Sequence, residues 1–199
     1  LAEDLVREAP PHNFIYTLRE FQPEEACFPE SNYHFVGPAV EDRAEAPFSF
    51  GDSGNPIVYI SFGTLMHADK RFWKKLIAAF TGRRVEVICA VGSEKMRRSL
   101  RNLPPNVRVY ARVPQLTVLR RAALFVTHGG MNSANEALYY GVPMIVLPFG
   151  LDQPLVGREL VRQKLGRVIA PRELTAARLW RTAKELLRDP EAREARLAM

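Results

Sequence analysis

His128, Gly129 and Gly130 stand directly after the apolar run 124–127, and Asn132, Ser133 and Glu136 follow at the spacing of a helix's first turns. Further on come Gly141-Val142-Pro143-Met144 and the acid–amide pair Asp152-Gln153. Two glycines at the end of a strand let the backbone turn tightly and approach a ligand, because no side chain intervenes. A helix that begins there presents N–H groups without intrahelical partners and a partial positive charge, which suits a diphosphate. Asn132 and Ser133 add side-chain donors in its first turn. Glu136 lies one turn further along the face of Asn132. A carboxylate there repels phosphate but accepts hydrogen bonds from two hydroxyls, as on a ribose. Asp152 accepts and Gln153 both donates and accepts, which suits the hydroxyls of a hexose. An earlier apolar run, 57–62, leads through Ser61 to Gly63 and Thr64, another loop of small residues. The chemistry indicated is the binding of a nucleotide-activated sugar.

Taken singly, each residue has a plain structural explanation. Two glycines between strand and helix are common, and a lone histidine can satisfy a core hydrogen bond. Asn132 or Ser133 can cap a helix, and Asp152-Gln153 can simply begin one. Their joint order, on the ends of successive strands, is what points to a site. Tyr139, Tyr140 and Trp180 read as packing residues, and the sequence offers no partners for His12, His34 or His67.

The elements that must position these residues follow from periodicity. Continuous apolar runs at 57–62, 85–91, 107–113, 124–127 and 144–148, with a shorter one at 166–170, read as strands buried on both faces. Between them, helical spacing predicts helices over 69–80, 93–102, 115–121, 132–140, 155–165 and 175–188, with another over 191–199. Strands alternating with helices imply crossover units and a parallel sheet. The expectation is an α/β domain over 56–199, a doubly wound, Rossmann-like parallel sheet whose ligands bind beyond the carboxyl ends of the strands. Residues 1–37 hold a short helix-like start and apolar stretches at 13–17 and 33–36, interrupted by prolines. Residues 38–55, rich in Pro, Gly, Ala, Asp and Glu without a sustained period, read as a linker between domains.

Bulk properties narrow the class. A chain of 199 residues that is 47% hydrophobic can bury a full core. Its apolar runs are too short to span a bilayer, and no signal peptide opens it. The net charge of +6 is spread along arginine pairs; it favours anionic ligands, but no aromatic interleaving or zinc spacing marks a nucleic-acid module. Cys27 and Cys89 form no Cys-x-x-Cys pair, so neither a disulfide framework nor a metal site is implied, and a reducing, cytoplasmic setting fits. Because the chain begins with Leu, it reads as a fragment of a longer protein.

Val113-Pro114-Gln115 with Val118-Leu119, the run from Phe125 through Glu136, Gly141-Val142-Pro143-Met144 and Asp152-Gln153 together resemble the donor-binding signature of the family 1 glycosyltransferases. The likeness is strongest to the bacterial macrolide-type UDP-glycosyltransferases and covers nearly all of 57–199. Phe21-Gln22-Pro23 and Phe35-Val36-Gly37-Pro38 resemble the end of the same family's N-terminal domain. The resemblance implies a GT-B architecture and a metal-independent, inverting transfer, without a cofactor, from a UDP-sugar to a hydroxyl of a small hydrophobic acceptor such as a macrolide or flavonoid. By position it implies that His128, Asn132 and Ser133 contact the diphosphate with backbone help from Gly129 and Gly130, and that Glu136 holds the ribose. It further implies that Asp152 and Gln153 hold the sugar, that Val113 and Gln115 meet the uracil and ribose, and that Ser61, Gly63 and Thr64 line the phosphate side. Arg112 stands where plant members carry the tryptophan that stacks on uracil; a guanidinium plane can stack as well. The general base and most of the acceptor pocket belong, in that family, to an N-terminal domain beyond this chain, so no catalytic base is expected here. Two other readings share these residues: another GT-B activity, such as a lipid-sugar transferase or sugar-nucleotide epimerase, and a non-catalytic nucleotide-sugar binding module.

Overall fold

The apolar runs bounded by glycine and proline do become strands, and their order in space explains the site. The computed structural model describes residues 10–22, 24–40, 45–63 and 69–188. The chain divides into two compact units, Leu1–Asp42 and Arg43–Met199. Thr64, His67, the helix-like start and the helix expected over 191–199 lie outside the described residues.

In the first unit, β1 (Asn13–Ile15) pairs in parallel with β2 (Tyr33–Phe35). Phe21 and Tyr33 are buried, Phe28 packs edge-on against Tyr33 and Phe35, and the Arg19 guanidinium lies 4.4 Å over the Phe35 ring. His12 and His34, which the sequence left without partners, stack with Nδ1 and Nε2 3.2 Å apart.

The second unit is built on β3 (Ile57–Ser61), β4 (Glu86–Ala90), β5 (Val107–Tyr110), β6 (Ala122–Thr127), β7 (Met144–Val146) and β8 (Gly166–Val168). All neighbours run parallel, in the order β5-β4-β3-β6-β7-β8. This is the doubly wound order, in which the crossovers diverge from the middle of the sheet. The helices are α1 (Lys70–Phe80), α2 (Glu94–Ser99), α3 (Gln115–Leu119), α4 (Met131–Tyr139), α5 (Gln153–Arg162) and α6 (Ala176–Arg188).

Alternation along β3 sends its residues to both layers. Val58 and Ile60 enter one apolar cluster with Trp73, Leu76 and Phe80 of α1 and Leu179, Ala183 and Leu186 of α6. Trp180 closes that layer edge-on to Phe80, with Arg83 4.9 Å over its ring. On the other face Tyr59 stacks on Phe125 of β6, centroids 4.9 Å apart and ring planes nearly parallel. Asp69 caps α1 by accepting from Phe72 N–H at 2.7 Å, and Ser93 caps α2 through Met96 N–H at 3.2 Å.

Several elements end earlier than periodicity predicts, and two of them have a clear local cause. The helix expected over 93–102 stops at Ser99, because Leu100 is extended and Asn102 takes a left-handed φ of 56°. The strand expected over 107–113 stops at Tyr110, after which the chain turns toward Pro114. Proline restricts the residue before it and leaves no N–H for a ladder.

Residues 45–55, within the stretch whose composition reads as linker, are fastened to the second unit. Both oxygens of Glu45 accept from the N–H groups of Leu116 and Thr117, at 3.1 and 2.7 Å. They cap α3, whose own N-cap position is Pro114, with no side-chain cap. Phe48 packs against Tyr110 and Phe50 lies under Arg121. Glu86, buried at the start of β4, accepts from Gly51 N–H at 3.1 Å and Ser53 Oγ at 3.4 Å and ion-pairs with Arg108.

At the same edge the Asn106 amide donates to three backbone carbonyls: Phe80 at 2.9 Å, Val85 at 3.0 Å and, more weakly, Arg83 at 3.4 Å. Those carbonyls end α1 and lead into β4, so one side chain closes the first crossover. Asn106→Ala should lower unfolding stability by about 1–3 kcal/mol, the penalty of leaving part-buried carbonyls unsatisfied. Denaturant midpoints of the two proteins check this.

Candidate functional site

In a doubly wound sheet the crevice opens where successive crossovers leave on opposite sides. Here that place is between β3 and β6, paired in register from Val58↔Leu124 to Ser61↔Thr127. The loops after both strands meet there. Gly63 takes a left-handed φ of 66°, and a Cβ on it would stand 3.2 Å from His128 Cε1. Gly129 has φ 88°, and a Cβ there would fall 2.7 Å from Val146 Cγ1. A side chain there would strain the turn and force the Val146 side chain to shift. The turn after β6 is thereby pressed against the sheet and aims α4 along the crevice.

The start of α4 differs from an ordinary capped helix. Its N-cap position is Gly130, which has no side chain to accept from the first N–H groups. Asn132 and Ser133 are therefore inside the helix and not its cap. Asn132 is exposed, and Ser133 and Glu136 are half-buried. The uncapped N–H groups and the side chains of the first turn make one cluster of donors.

Gln115, the first residue of α3, reaches across to α4. Its Nε2 donates to Glu136 Oε2 at 2.5 Å and to Ser133 Oγ at 3.2 Å. Its Oε1 accepts from the Tyr59 hydroxyl at 2.9 Å. The structure thus joins Gln115, Ser133 and Glu136, three of the residues singled out from the sequence, and adds Tyr59, which the sequence reading missed. The signal for Tyr59 was its place two residues before Ser61, hence on the same face of β3. Ser61 is buried, and its hydroxyl acts to lower the Tyr59 pKa against the larger, opposite effect of burial. Val113 is half-buried and Arg112 exposed, in the turn between β5 and α3. Glu45, at the N–H groups of α3, is a second residue that only the structure brings here.

His128 is half-buried, and burial lowers its pKa from the ordinary histidine value, with the Asp152 carboxylate acting weakly in the opposite sense. At neutral pH the imidazole is therefore neutral, able to donate one hydrogen bond into the crevice. A Cβ on Gly129 would stand 3.5 Å from the Gln153 carbonyl oxygen, so the loop after β7 returns to the same crevice. Asp152 occupies the N-cap position of α5 but makes no cap bond, and it is exposed. Gln153 behaves differently. It is 5% exposed, and its Oε1 accepts from the N–H groups of Phe149 and Gly150 at 2.8 and 3.3 Å. Its carbonyl holds the loop, so any contact with a sugar falls to its Nε2 amide.

A cavity of about 440 Å³ lies at the opposite edge of the sheet, where β4 and β5 begin, lined by Gly51, Ser53, Glu86, Asn106 and Arg108 among others. Its Glu86 and Asn106 already bind the segment 45–55 and the first crossover, and none of the residues singled out for nucleotide-sugar chemistry lines it. Among the described residues no helix is long and apolar enough to cross a membrane.

Residues 74–199 match the family described as erythromycin biosynthesis protein CIII-like, C-terminal domain. The chain is 37% identical over 182 residues to the NDP-glycosyltransferase YjiC of Bacillus licheniformis, covering 89% of this chain and 46% of that protein. It is 34% identical over 192 residues to the oleandomycin glycosyltransferase of Streptomyces antibioticus, covering 94% and 44%. Among solved structures it is similar to the glycotransferase of kitacinnamycin, with a TM-score of 0.89 and 30% identity over 95% of this chain and 50% of that one. The chain thus spans about half the length of the relatives it matches.

Because the folded His128 is harder to protonate than the unfolded one, stability is complete above the ordinary histidine pKa. It declines as pH falls below about 6.5, where the unfolded chain takes up the proton first. His128→Gln should lose less stability than the native chain between pH 7 and pH 5. Parallel denaturant titrations at the two pH values test it; equal losses would contradict the burial argument.

Proposed function

The chain belongs to the erythromycin biosynthesis protein CIII-like family, through its C-terminal domain, and from that premise we propose that it binds the donor of a sugar transfer, a UDP-hexose such as UDP-glucose. The observation that carries the reading is the junction of β6 and α4. There a glycine turn, an uncapped helix N-terminus and the Gln115–Ser133–Glu136 network share one crevice.

The parts divide the nucleotide between them. The N–H groups at the start of α4, with Asn132 and Ser133, take the diphosphate oxygens, and His128 donates to the same group. Glu136 accepts from the ribose hydroxyls, while Val113, Arg112 and Gln115 border the base. Asp152, exposed beside His128, accepts from the hexose hydroxyls, with the Gln153 amide behind it. Ser61 and Gly63 close the phosphate side.

Leaving-group departure builds negative charge on the diphosphate. Fixed dipoles at a helix start and an imidazole donor stabilise that charge without reorganising, so the transfer proceeds without a metal. An acceptor hydroxyl, on a small hydrophobic molecule such as a macrolide or flavonoid, attacks the anomeric carbon with inversion, its proton taken by a base outside this chain. The oleandomycin glycosyltransferase and the kitacinnamycin glycotransferase support this class of acceptor by similarity. The setting we propose is the cytoplasm.

Calorimetry with UDP tests the reading. The native chain should bind, and His128→Ala should weaken binding by about tenfold, the loss of one hydrogen bond to a charged group. Unchanged affinity would remove His128 from the diphosphate site. The 199-residue chain should transfer sugar poorly or not at all when supplied with donor and acceptor; efficient transfer would place a base within it.

A further inference from the structure

Tyr59 is held almost wholly from solvent, 1% exposed, and its phenol is not idle. Its ring is clamped by Phe125, and its hydroxyl donates to Gln115 Oε1. The direction of that bond is forced. Glu136 Oε2, 2.5 Å from the Gln115 amide, is a carboxylate oxygen and can only accept. The amide NH2 must therefore face Glu136 and Ser133, which turns its carbonyl to Tyr59. Ser61 stands two residues on along the same face of β3, and the phenol's own hydrogen goes to Gln115.

We propose that Tyr59 is a positioning residue that sets the nucleotide site's preference for a ribose over a 2′-deoxyribose. It acts through Gln115: the phenol holds the amide in one orientation, the amide holds one oxygen of Glu136, and Glu136 is thereby presented to the ribose hydroxyls in a fixed geometry. Without the phenol hydroxyl the Gln115 amide loses its restraint at the carbonyl end, and Glu136 loses a fixed donor. The nucleotide's hydroxyls then meet a carboxylate that must reorganise to accept them, whereas a 2′-deoxy nucleotide has less to lose. This rests on the proposed donor reading, because it needs Glu136 at the ribose.

The test is the ratio of the Kd for 2′-deoxy-UDP to that for UDP, measured by calorimetry. The native chain should favour UDP. Tyr59→Phe removes one oxygen and keeps the stacked ring; it should lower that ratio by about 3- to 10-fold, the range of one buried hydrogen bond. Gln115→Met keeps the side-chain length, removes the amide and should lower the ratio likewise. Tyr59→Phe added to Gln115→Met should change it no further, since both act along one path. Unfolding midpoints register whether each variant is folded, and Gln115→Met carries the test should Tyr59→Phe not fold. Failure of the native chain to bind UDP overturns the donor reading and this inference with it. UDP binding with an unchanged ratio in the folded variants, or equal weakening of both nucleotides, leaves the donor reading standing and overturns the role of Tyr59.

Discussion

The parallel pairing of β3 with β6 is the constraint on which the rest depends. Their register brings Ser61 level with Thr127, so the two loops that follow leave the sheet side by side. Parallel strands need long crossovers, and at this pair the crossovers part to opposite faces, opening a crevice between the loops. Gly63 and Gly129 are what the pairing demands of the sequence. One stands too close to the His128 ring for a side chain to enter easily, and the other is pressed on Val146 in a left-handed turn. A substitution at either glycine would move the turn, and with it the aim of α4.

That geometry also sorts charge. The positive end of α4 has a glycine at its N-cap position, while the acids stand off it in separate places. Glu136 is a turn inside the helix and tied to Gln115. Asp152 is on the loop after β7 and near enough to His128 to be felt by it. An anion therefore meets donors first and carboxylates only at its flanks, where hydroxyls would be. The opposite edge of the sheet is handled differently. There Glu86, Arg108 and Asn106 bind the strap 45–55 and the first crossover, giving strength where no chemistry is arranged.

Much of this was legible before any coordinates. Continuous apolar runs located every strand of the main sheet, because a parallel sheet covered on both faces has no polar alternation to blur the signal. The glycine turn and the acid–amide pair stood out because few structural reasons require them in that order. Strand order was not legible, since periodicity says where strands are and nothing about which neighbours they choose. Nor was the tightening of residues 45–55 onto α3 and β4, which depends on single side chains, Glu45 and Glu86, meeting distant backbone. Gln153 shows the limit at the site itself. Its type suits a sugar, but its carbonyl holds the Phe149–Gly150 loop, a competition between local backbone and ligand that no motif reveals. Tyr59 shows the reverse: a residue that reads as core carries a polar link between β3 and α3.

Backbone amide chemical shifts during a titration of the chain with UDP-glucose test the central claim most directly. The account predicts saturable shifts concentrated at Gly63, Gln115, His128 through Ser133, Glu136 and Asp152, with little change at Gly51, Glu86 and Asn106. Saturable shifts centred on the Glu86 and Asn106 edge, or none at the β6–α4 turn, would contradict it.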